Sequence, residues 1–329
     1  MRDIVDDLMR VWHSGRTGGL ATLVRTFGSS LLPVGSAMLV DPDGAIHGAV
    51  SDSCYQAAVY EATVQAARTG RRELRRFDPS AGFGVRHDNG TIDVFMEPFS
   101  REHFPEFPAI AADLVRHRPV TVFTVVWHTD PSVIGQHLIT DRKHNTELVS
   151  LPESDVFVYS HTVPPRLIIF GANPFAAALT VQGQLLGYRV TVCDPRETFA
   201  VPASFPGAEV LVDWPHRYLN SQAAGMDAST AVVAVTRDPD FELPLLTVAL
   251  RMPQIGYLGA LGSDADHRQR IQTLQASGFD NATLARLHSP AGFDIGARTP
   301  MEHAVAIVAE ILASRTAAAA RTRPTAAAS

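Results

Sequence analysis

The chain has 329 residues, 46% of them hydrophobic and 19% charged, with a formal net charge of -6. That length accommodates two packed domains. The mildly acidic balance argues against a nucleic-acid partner, which needs a basic face, and no apolar run reaches the ~18–20 residues that cross a bilayer. Charged residues in Met1-Arg-Asp-Ile-Val-Asp-Asp7 stand where a leader peptide needs an apolar stretch, so a cytoplasmic protein without membrane attachment is expected.

In chain order, Leu20–Thr26, Ala37–Val40, Ala45–Ala49 and Thr91–Met96 read as strands, with Asp41-Pro-Asp-Gly44 as a turn. Cys54–Thr69 reads as a helix stopped by Gly70. Val120–Trp127 and Val156–Ser160 read as further strands, and the polar stretch Thr129–Ser154 between them is unassigned. Pro164-Pro165 marks a stiff linker, and a domain boundary is placed there: residues 1–163, then 164–314, then a disordered tail from 315 to 329. Past the linker, Arg166–Phe170 is a short buried strand. A helix carrying Phe175, Leu179 and Leu186 follows and ends near Gly187. Arg189–Cys193, Thr230–Thr236 and Gln254–Leu258 are strands with helical segments between them, so the second half is a parallel sheet with helices on both faces. The last helix has Thr299 as N-cap, Pro300 at its first position and Glu302 completing a capping box. Ala304, Ile307, Val308, Ile311 and Leu312 form its apolar stripe.

A strand, a glycine turn and a helix N-terminus make an anion site, because unpaired N–H groups and the helix dipole converge there. Gly171-Ala-Asn173 opens such a helix. Asp194, 23 residues after Gly171, stands at the end of the next strand, where dinucleotide folds keep a carboxylate for the ribose. The fingerprint GxGxxG is altered to Gly171, Asn173 and Ala176, and Pro174 removes one N–H. These residues fit two readings equally, a scaffold with an altered nucleotide ligand and a scaffold with none. A second glycine turn, Gly259-Ala-Leu-Gly-Ser263, lies at another strand end; Ser263 with Asp266 reads as a capping box, and the position also fits the ligand crevice of an open sheet. Lys143 is the only lysine and follows no GxxxxGK, so any phosphate must be held by arginine or backbone N–H groups.

The two cysteines, Cys54 and Cys193, form no disulfide framework and no zinc spacing, and no HExxH occurs among the thirteen histidines. Cys193, at a strand end, reads as a buried apolar residue. Cys54 lies in Val50-Ser-Asp-Ser-Cys54, between a strand and a helix, where a helix N-terminus favours the thiolate that binds soft metals. A buried small residue is the other reading there, and Asp52 opposes thiolate formation.

Taken together, the segments Leu20-Ala-Thr-Leu-Val-Arg-Thr-Phe-Gly-Ser-Ser30, Gly35–Val40, Gly48–Cys54, Ile92–Pro98, Gly187–Val192, Thr236–Phe241, Tyr257–Ser263 and Gly292–Pro300 resemble, in order, those of the xanthine dehydrogenase accessory factor family (XdhC/CoxI-like), with this chain a divergent member. The resemblance implies an α/β protein: an N-terminal mixed α+β XdhC/CoxI-like domain, then a Rossmann-like doubly wound parallel-sheet domain. It implies a carrier rather than a turnover enzyme, one that binds molybdenum cofactor (molybdopterin) and assists its sulfuration or insertion into a xanthine or CO dehydrogenase-type hydroxylase. The implied partners are that hydroxylase, with a cysteine desulfurase and a second copy of the chain as further candidates. Carried over by position, the candidate cofactor contacts are Ser51, Cys54, Gly171, Asn173, Asp194, Asp238, Gly262, Ser263, Asp294 and Arg298, with Cys54 the candidate metal ligand and no catalytic residue. The family's Ser-Gly-Gly-Cys turn is Ser51-Asp-Ser-Cys54 here. Its second cysteine turn is Arg86-His-Asp-Asn-Gly90, its Thr-His-Asp is Thr236-Arg-Asp238, and Asp264 and Ala265 replace basic residues after Ser263. An NAD(P)-dependent oxidoreductase and a ligand-free partner of a hydroxylase are the alternatives, separated from the carrier by cofactor content, by NAD(P) reduction and by pull-down.

Overall fold

The computed structural model describes residues 1–28, 30–51, 53–78 and 90–322. Contacts divide the chain into two units, Met1–Val163 and Pro164–Ser329. No helix among the described residues is long and apolar enough to cross a membrane.

The first unit contains α1 (Val5–Ser14), β1 (Gly18–Phe27), β2 (Ala37–Val40), β3 (Ile46–Gly48), α2 (Ser53–Thr69), β4 (Glu73–Phe77), β5 (Thr91–Phe99), α3 (Phe107–Val115), β6 (Val120–His128), β7 (His137–Thr140), β8 (Glu147–Leu151) and β9 (Ser154–His161). An antiparallel sheet runs β3-β2-β1-β5-β4, and a second one runs β7-β6-β9-β8. Side chains alternate along β1. Leu20 packs with Leu8, Val11, Phe107 and Ile110. Ala21 and Leu23 pack with Tyr55, Val59, Ala62 and Ala66 of α2, which recur at helical spacing. With both faces covered, β1 reads as an apolar run rather than an alternation. A Cβ at Gly19 would lie 2.4 Å from the Thr63 carbonyl oxygen, so glycine there is what lets α2 sit on the sheet. The unassigned stretch 129–154 contains β7 and β8; most of their side chains are partly or fully exposed, which removes the apolar signal. β4 is an edge strand of the same kind.

The second unit contains β10 (Arg166–Phe170), α4 (Pro174–Leu185), β11 (Arg189–Cys193), β12 (Glu209–Leu211), α5 (Pro215–Ser221), β13 (Ala231–Ala234), α6 (Pro239–Leu250), β14 (Tyr257–Ala260), α7 (Asp264–Ala276), α8 (Asn281–Leu284), β15 (Leu287–His288) and α9 (Pro300–Thr322). All six strands are parallel, in the order β12-β11-β10-β13-β14-β15. That is the doubly wound Rossmann order, with its switch point between β10 and β13. Leu167, Ile168, Ile169 and Phe170 are each at most 1% exposed and alternate between two cores, one under α4 and α9 and one under α6. Burial of this kind is worth roughly 1.5–3 kcal/mol per side chain. The strand read at Gln254–Leu258 is displaced to Tyr257–Ala260, because Gly256 still belongs to the turn: a Cβ there would lie 2.0 Å from the Ala228 carbonyl oxygen. The final helix does not stop at Ser314 as expected. It runs to Thr322 through an alanine-rich stretch of high helix propensity.

Candidate functional site

The switch point is built by the chain that leaves β10. Gly171 has φ +110°, and a Cβ on it would lie 2.8 Å from the Thr236 amide nitrogen, so both its conformation and its neighbour demand glycine. Its N–H donates to the Cys193 carbonyl at 2.9 Å, and the Phe170 carbonyl accepts from Val235 N at 2.9 Å and Thr236 N at 3.1 Å. Asn173 then caps α4. Its Oδ1 accepts from Phe175 N at 3.0 Å and Ala176 N at 3.1 Å, while its Nδ2 donates to the Val235 carbonyl at 2.9 Å. One side chain thus seals the helix end and ties it across the switch point to β13.

Asp194 completes the lock from β11. Oδ2 accepts from Ala172 N at 2.8 Å and Arg196 Nη2 at 2.7 Å, and Oδ1 accepts from Arg196 N at 2.9 Å and Arg196 Nε at 2.8 Å. The residue is 0% exposed. Burial alone would raise its carboxyl pKa, but the hydrogen bonds from Arg196 and Ala172 outweigh it and hold the group below the usual carboxylate range. Gly171, Asn173 and Asp194 are therefore brought together, and their polar groups satisfy one another. A pyrophosphate would need N–H groups that Asn173 and Asp194 already occupy, at a helix whose first residue is Pro174. A ribose diol would need a carboxylate that Arg196 already holds. These residues do not fit a dinucleotide in the usual pose.

The neighbouring strand ends follow the same pattern. Asp238 caps α6, accepting from Asp240 N at 3.1 Å. Ser263 caps α7 in a complete capping box with Asp266. Bonds from Ser263 N and Oγ, and then from Arg237, hold the Asp266 carboxyl at about 2. Gly262 turns the chain from β14 into that box. Below it the buried Arg270 donates to Glu242 at 2.6 Å and to the Leu261 carbonyl at 3.1 Å, and also to Ser289. Asp294 and Arg298 lie exposed on the loop before α9, where Asp294 accepts from Gly296 N and the Arg298 amide donates to Glu302. That loop is pinned at its start by Glu310, which accepts from Gly292 N at 2.8 Å and Tyr257 Oη at 2.6 Å and meets His288 Nδ1 at 2.9 Å. Sequence reasoning missed Arg270–Glu242 and Glu310. Glu310 offered a signal, a carboxylate between the stripe residues Val308 and Ile311. The Arg270 pair offered none.

In the first unit, Cys54 falls in the first turn of α2, immediately before Tyr55, where the buried face of that helix begins; its side chain, and Asp52 and residues 79–89, lie outside the described residues. Ser51 precedes that turn and is partly buried. Cys193 is fully buried with its Sγ 3.4 Å from the Asp213 carbonyl oxygen, and burial together with the Asp213 charge pushes its thiol up to about 12. Among the described residues no cluster of three or more His, Cys, Asp or Glu is placed to hold a metal ion.

Residues 167–311 match the model of the XdhC Rossmann domain, and residues 11–78 match that of the XdhC and CoxI family. The chain is 28% identical over 324 residues to the molybdenum cofactor insertion chaperone PaoD of Escherichia coli, covering 96% of this chain and 87% of that protein. It is 27% identical over 315 residues to a Bacillus subtilis protein described as a probable xanthine dehydrogenase component, covering 90% and 92%. It is 31% identical over 157 residues to the uncharacterized YqeB of Escherichia coli, where the match spans 48% of this chain but only 28% of that one. A crystal structure from Bacillus halodurans described as a xanthine dehydrogenase shares the fold, with a TM-score of 0.75, 22% identity and coverage of 98% and 97%.

Proposed function

Because the chain belongs to the XdhC and CoxI family, we propose that it is an accessory protein that carries molybdenum cofactor as cargo and assists its sulfuration or insertion into a molybdenum hydroxylase of the xanthine or CO dehydrogenase type. The observation that carries this reading is the match to PaoD, which runs along 96% of the chain and through both units. A hydroxylase client and a sulfur donor such as a cysteine desulfurase are the partners this activity requires.

The chemistry of the two thiols favours one site. A soft metal takes a thiolate, and Cys193, with its thiol at about 12 and no exposure, is withdrawn from that role. Cys54 stands in the first turn of a helix of ordinary length, where unpaired N–H groups favour the anion. The oxidoreductase alternative draws no support from the switch point, where Asn173 and Asp194 bind the chain rather than a dinucleotide.

The test is to purify the full chain from a host that makes the cofactor, then measure molybdenum by mass spectrometry and oxidised pterin by fluorescence after denaturation. Wild type should carry both in near-equal amounts, and Cys54→Ala should retain at least about tenfold less with an unchanged circular dichroism spectrum. Cofactor-free wild type would sink the carrier reading. Equal retention in the two proteins would remove Cys54 as the ligand.

A further inference from the structure

Away from the switch point, towards the amino ends of its strands, the Rossmann sheet carries a second polar cluster. The two-residue period of a strand puts Arg166 on the face that Ile168 and Phe170 turn to the core under α6, Arg189 on the face of Cys193, and Glu209 on the face of Leu211. Arg166 and Arg189 stand side by side in register on β10 and β11, and Thr191 and Glu209 do the same on β11 and β12. Arg166, Arg189, Glu209 and Asp213 line one hollow of about 420 Å³, together with Tyr218 and Gln222 from α5 and the turn after it. That volume falls within the ~300–1,000 Å³ of small-molecule sites.

The charges in this hollow are not settled within the chain. Arg166 is 9% exposed; its Nη2 donates to Gln222 Oε1 at 2.9 Å and its Nη1 to the Gly225 carbonyl at 3.4 Å, while its Nε is buried without a partner. An amide and a carbonyl do not neutralise a guanidinium. Among the described residues no carboxylate pairs with Arg166, and the exposed Arg189 side chain has neither a hydrogen bond nor an ion pair. Like charges side by side repel, and a buried charge without a counter-charge is costly, so the two arginines call for an anion. The carboxylates of the same hollow are lightly engaged: Glu209 accepts from Thr191 Oγ1 at 3.2 Å, and Asp213 meets Arg217 only at 3.9 Å. Tyr218, raised above its ordinary pKa by burial and then by the Glu209 charge, remains a neutral hydroxyl.

We infer that this hollow binds a free α-amino acid as its zwitterion, with the carboxylate taken by Arg189 and Arg166 and the ammonium by Glu209 and Asp213. A simple anion is drawn by the two guanidinium groups but repelled by the two carboxylates, and a simple cation meets the reverse. A molecule carrying both charges meets each with its opposite. The bonds at both ends are charge-assisted, and the planar fork of an arginine matches a carboxylate. Only Leu211 and Val212 line the hollow with aliphatic side chains, which favours an amino acid with a small or polar side chain. The inference does not rest on the carrier reading: cofactor content could be nil and the amino-acid site would stand, or amino-acid binding could fail and cofactor retention would be untouched.

The experiment is calorimetric titration of the full chain with the standard L-amino acids one at a time, and with acetate, ethylamine and inorganic phosphate. At least one amino acid should bind saturably with a Kd of about 1 mM or tighter, and each of the three singly charged or inorganic probes at least about tenfold more weakly. Arg189→Gln should weaken the amino acid about tenfold. Glu209→Gln should weaken it similarly while acetate binds no worse than to wild type, because the group removed faces only the ammonium. Arg166→Gln should abolish binding; if that variant does not fold, the exposed positions Arg189 and Glu209 carry the test. No saturable binding by any amino acid, acetate or phosphate binding as tightly as the best of them, or unchanged affinity in Arg189→Gln would each overturn the proposal.

Discussion

Asn173→Ala isolates what closes the switch point. The substitution removes the cap of α4, which costs about 1 kcal/mol at a typical N-terminus. It also removes the Nδ2 donor from the Val235 carbonyl, inside a residue that is 2% exposed, and a buried carbonyl left without its partner costs about 1 kcal/mol more. The loss is therefore about 2 kcal/mol, which in a unit of this size is a fall of about 4–8 °C in Tm. Asn173→Asp separates the two contributions, because a carboxylate caps the helix as well as an amide does but cannot donate to Val235. It should lose about 1 kcal/mol. The assay is urea denaturation of the full chain, with hydrogen exchange at α4 to assign the transition to this unit. If Asn173→Ala costs under about 0.5 kcal/mol, this side chain does not hold the loop. An Asp variant as stable as wild type would dismiss the Val235 bond.

Glu242→Gln leaves Arg270 buried without its counter-charge and should cost about 3–5 kcal/mol by calorimetry, whereas Glu242→Leu combined with Arg270→Met should cost clearly less, since the uncompensated charge goes with it. Asp266 titrates at about 2 in the fold against an ordinary 3.8. Its contribution is whole above about pH 4 and is lost as the pH falls towards 2, because the unfolded chain takes up the proton first. Asp194, depressed in the same direction, adds to the effect, so acid titration followed by circular dichroism should show the helices of the second unit failing in that window. Thiol labelling should leave Cys193 unmodified in the native chain and reach it only after denaturation; rapid native labelling of Cys193, with its thiol at about 12, would contradict its burial.

The Rossmann unit was legible because its signals are local. The apolar run 166–170, the glycine after it and the Thr299–Pro300–Glu302 cap each act within a few residues, and each is found where the pattern puts it: β10, a φ of +110° at Gly171, and Thr299 and Glu302 exchanging bonds at 3.0 and 3.3 Å. The family resemblance rested on short segments of the same local kind, from Leu20–Ser30 to Gly292–Pro300, and the family models cover all of them but Ile92–Pro98. The small edge strands β4, β7 and β8 were not legible, because strands with exposed side chains carry no alternation. At the site, the sequence identified Asn173 as the anomaly but not what it does. That its amide reaches the carbonyl of Val235, 62 residues on, is a property of the assembled sheet. Asp194 was placed correctly at a strand end and given a ribose to hold, yet the residue it holds, Arg196, is two positions further along its own loop.

A carrier differs from an enzyme with a resident cofactor in one thermodynamic respect: it must be as well folded after delivery as before. A ligand present at a hundred times its Kd adds about 2.7 kcal/mol to the native state, and that increment vanishes when the ligand leaves. Set against a net stability of about 5–15 kcal/mol, the loss is large for a fold whose loops depend on the ligand. Here the N–H groups of Ala172, Phe175 and Ala176 and the carboxylate of Asp194 find their partners within the chain. The crevice loop is thus held in the empty protein by the same bonds that exclude a pyrophosphate. Substituting glycine for Asn173 would restore the fingerprint and free two donors, but it would also make the shape of that loop depend on whatever anion then arrived. On that reasoning the altered fingerprint is a means of keeping the empty scaffold rigid.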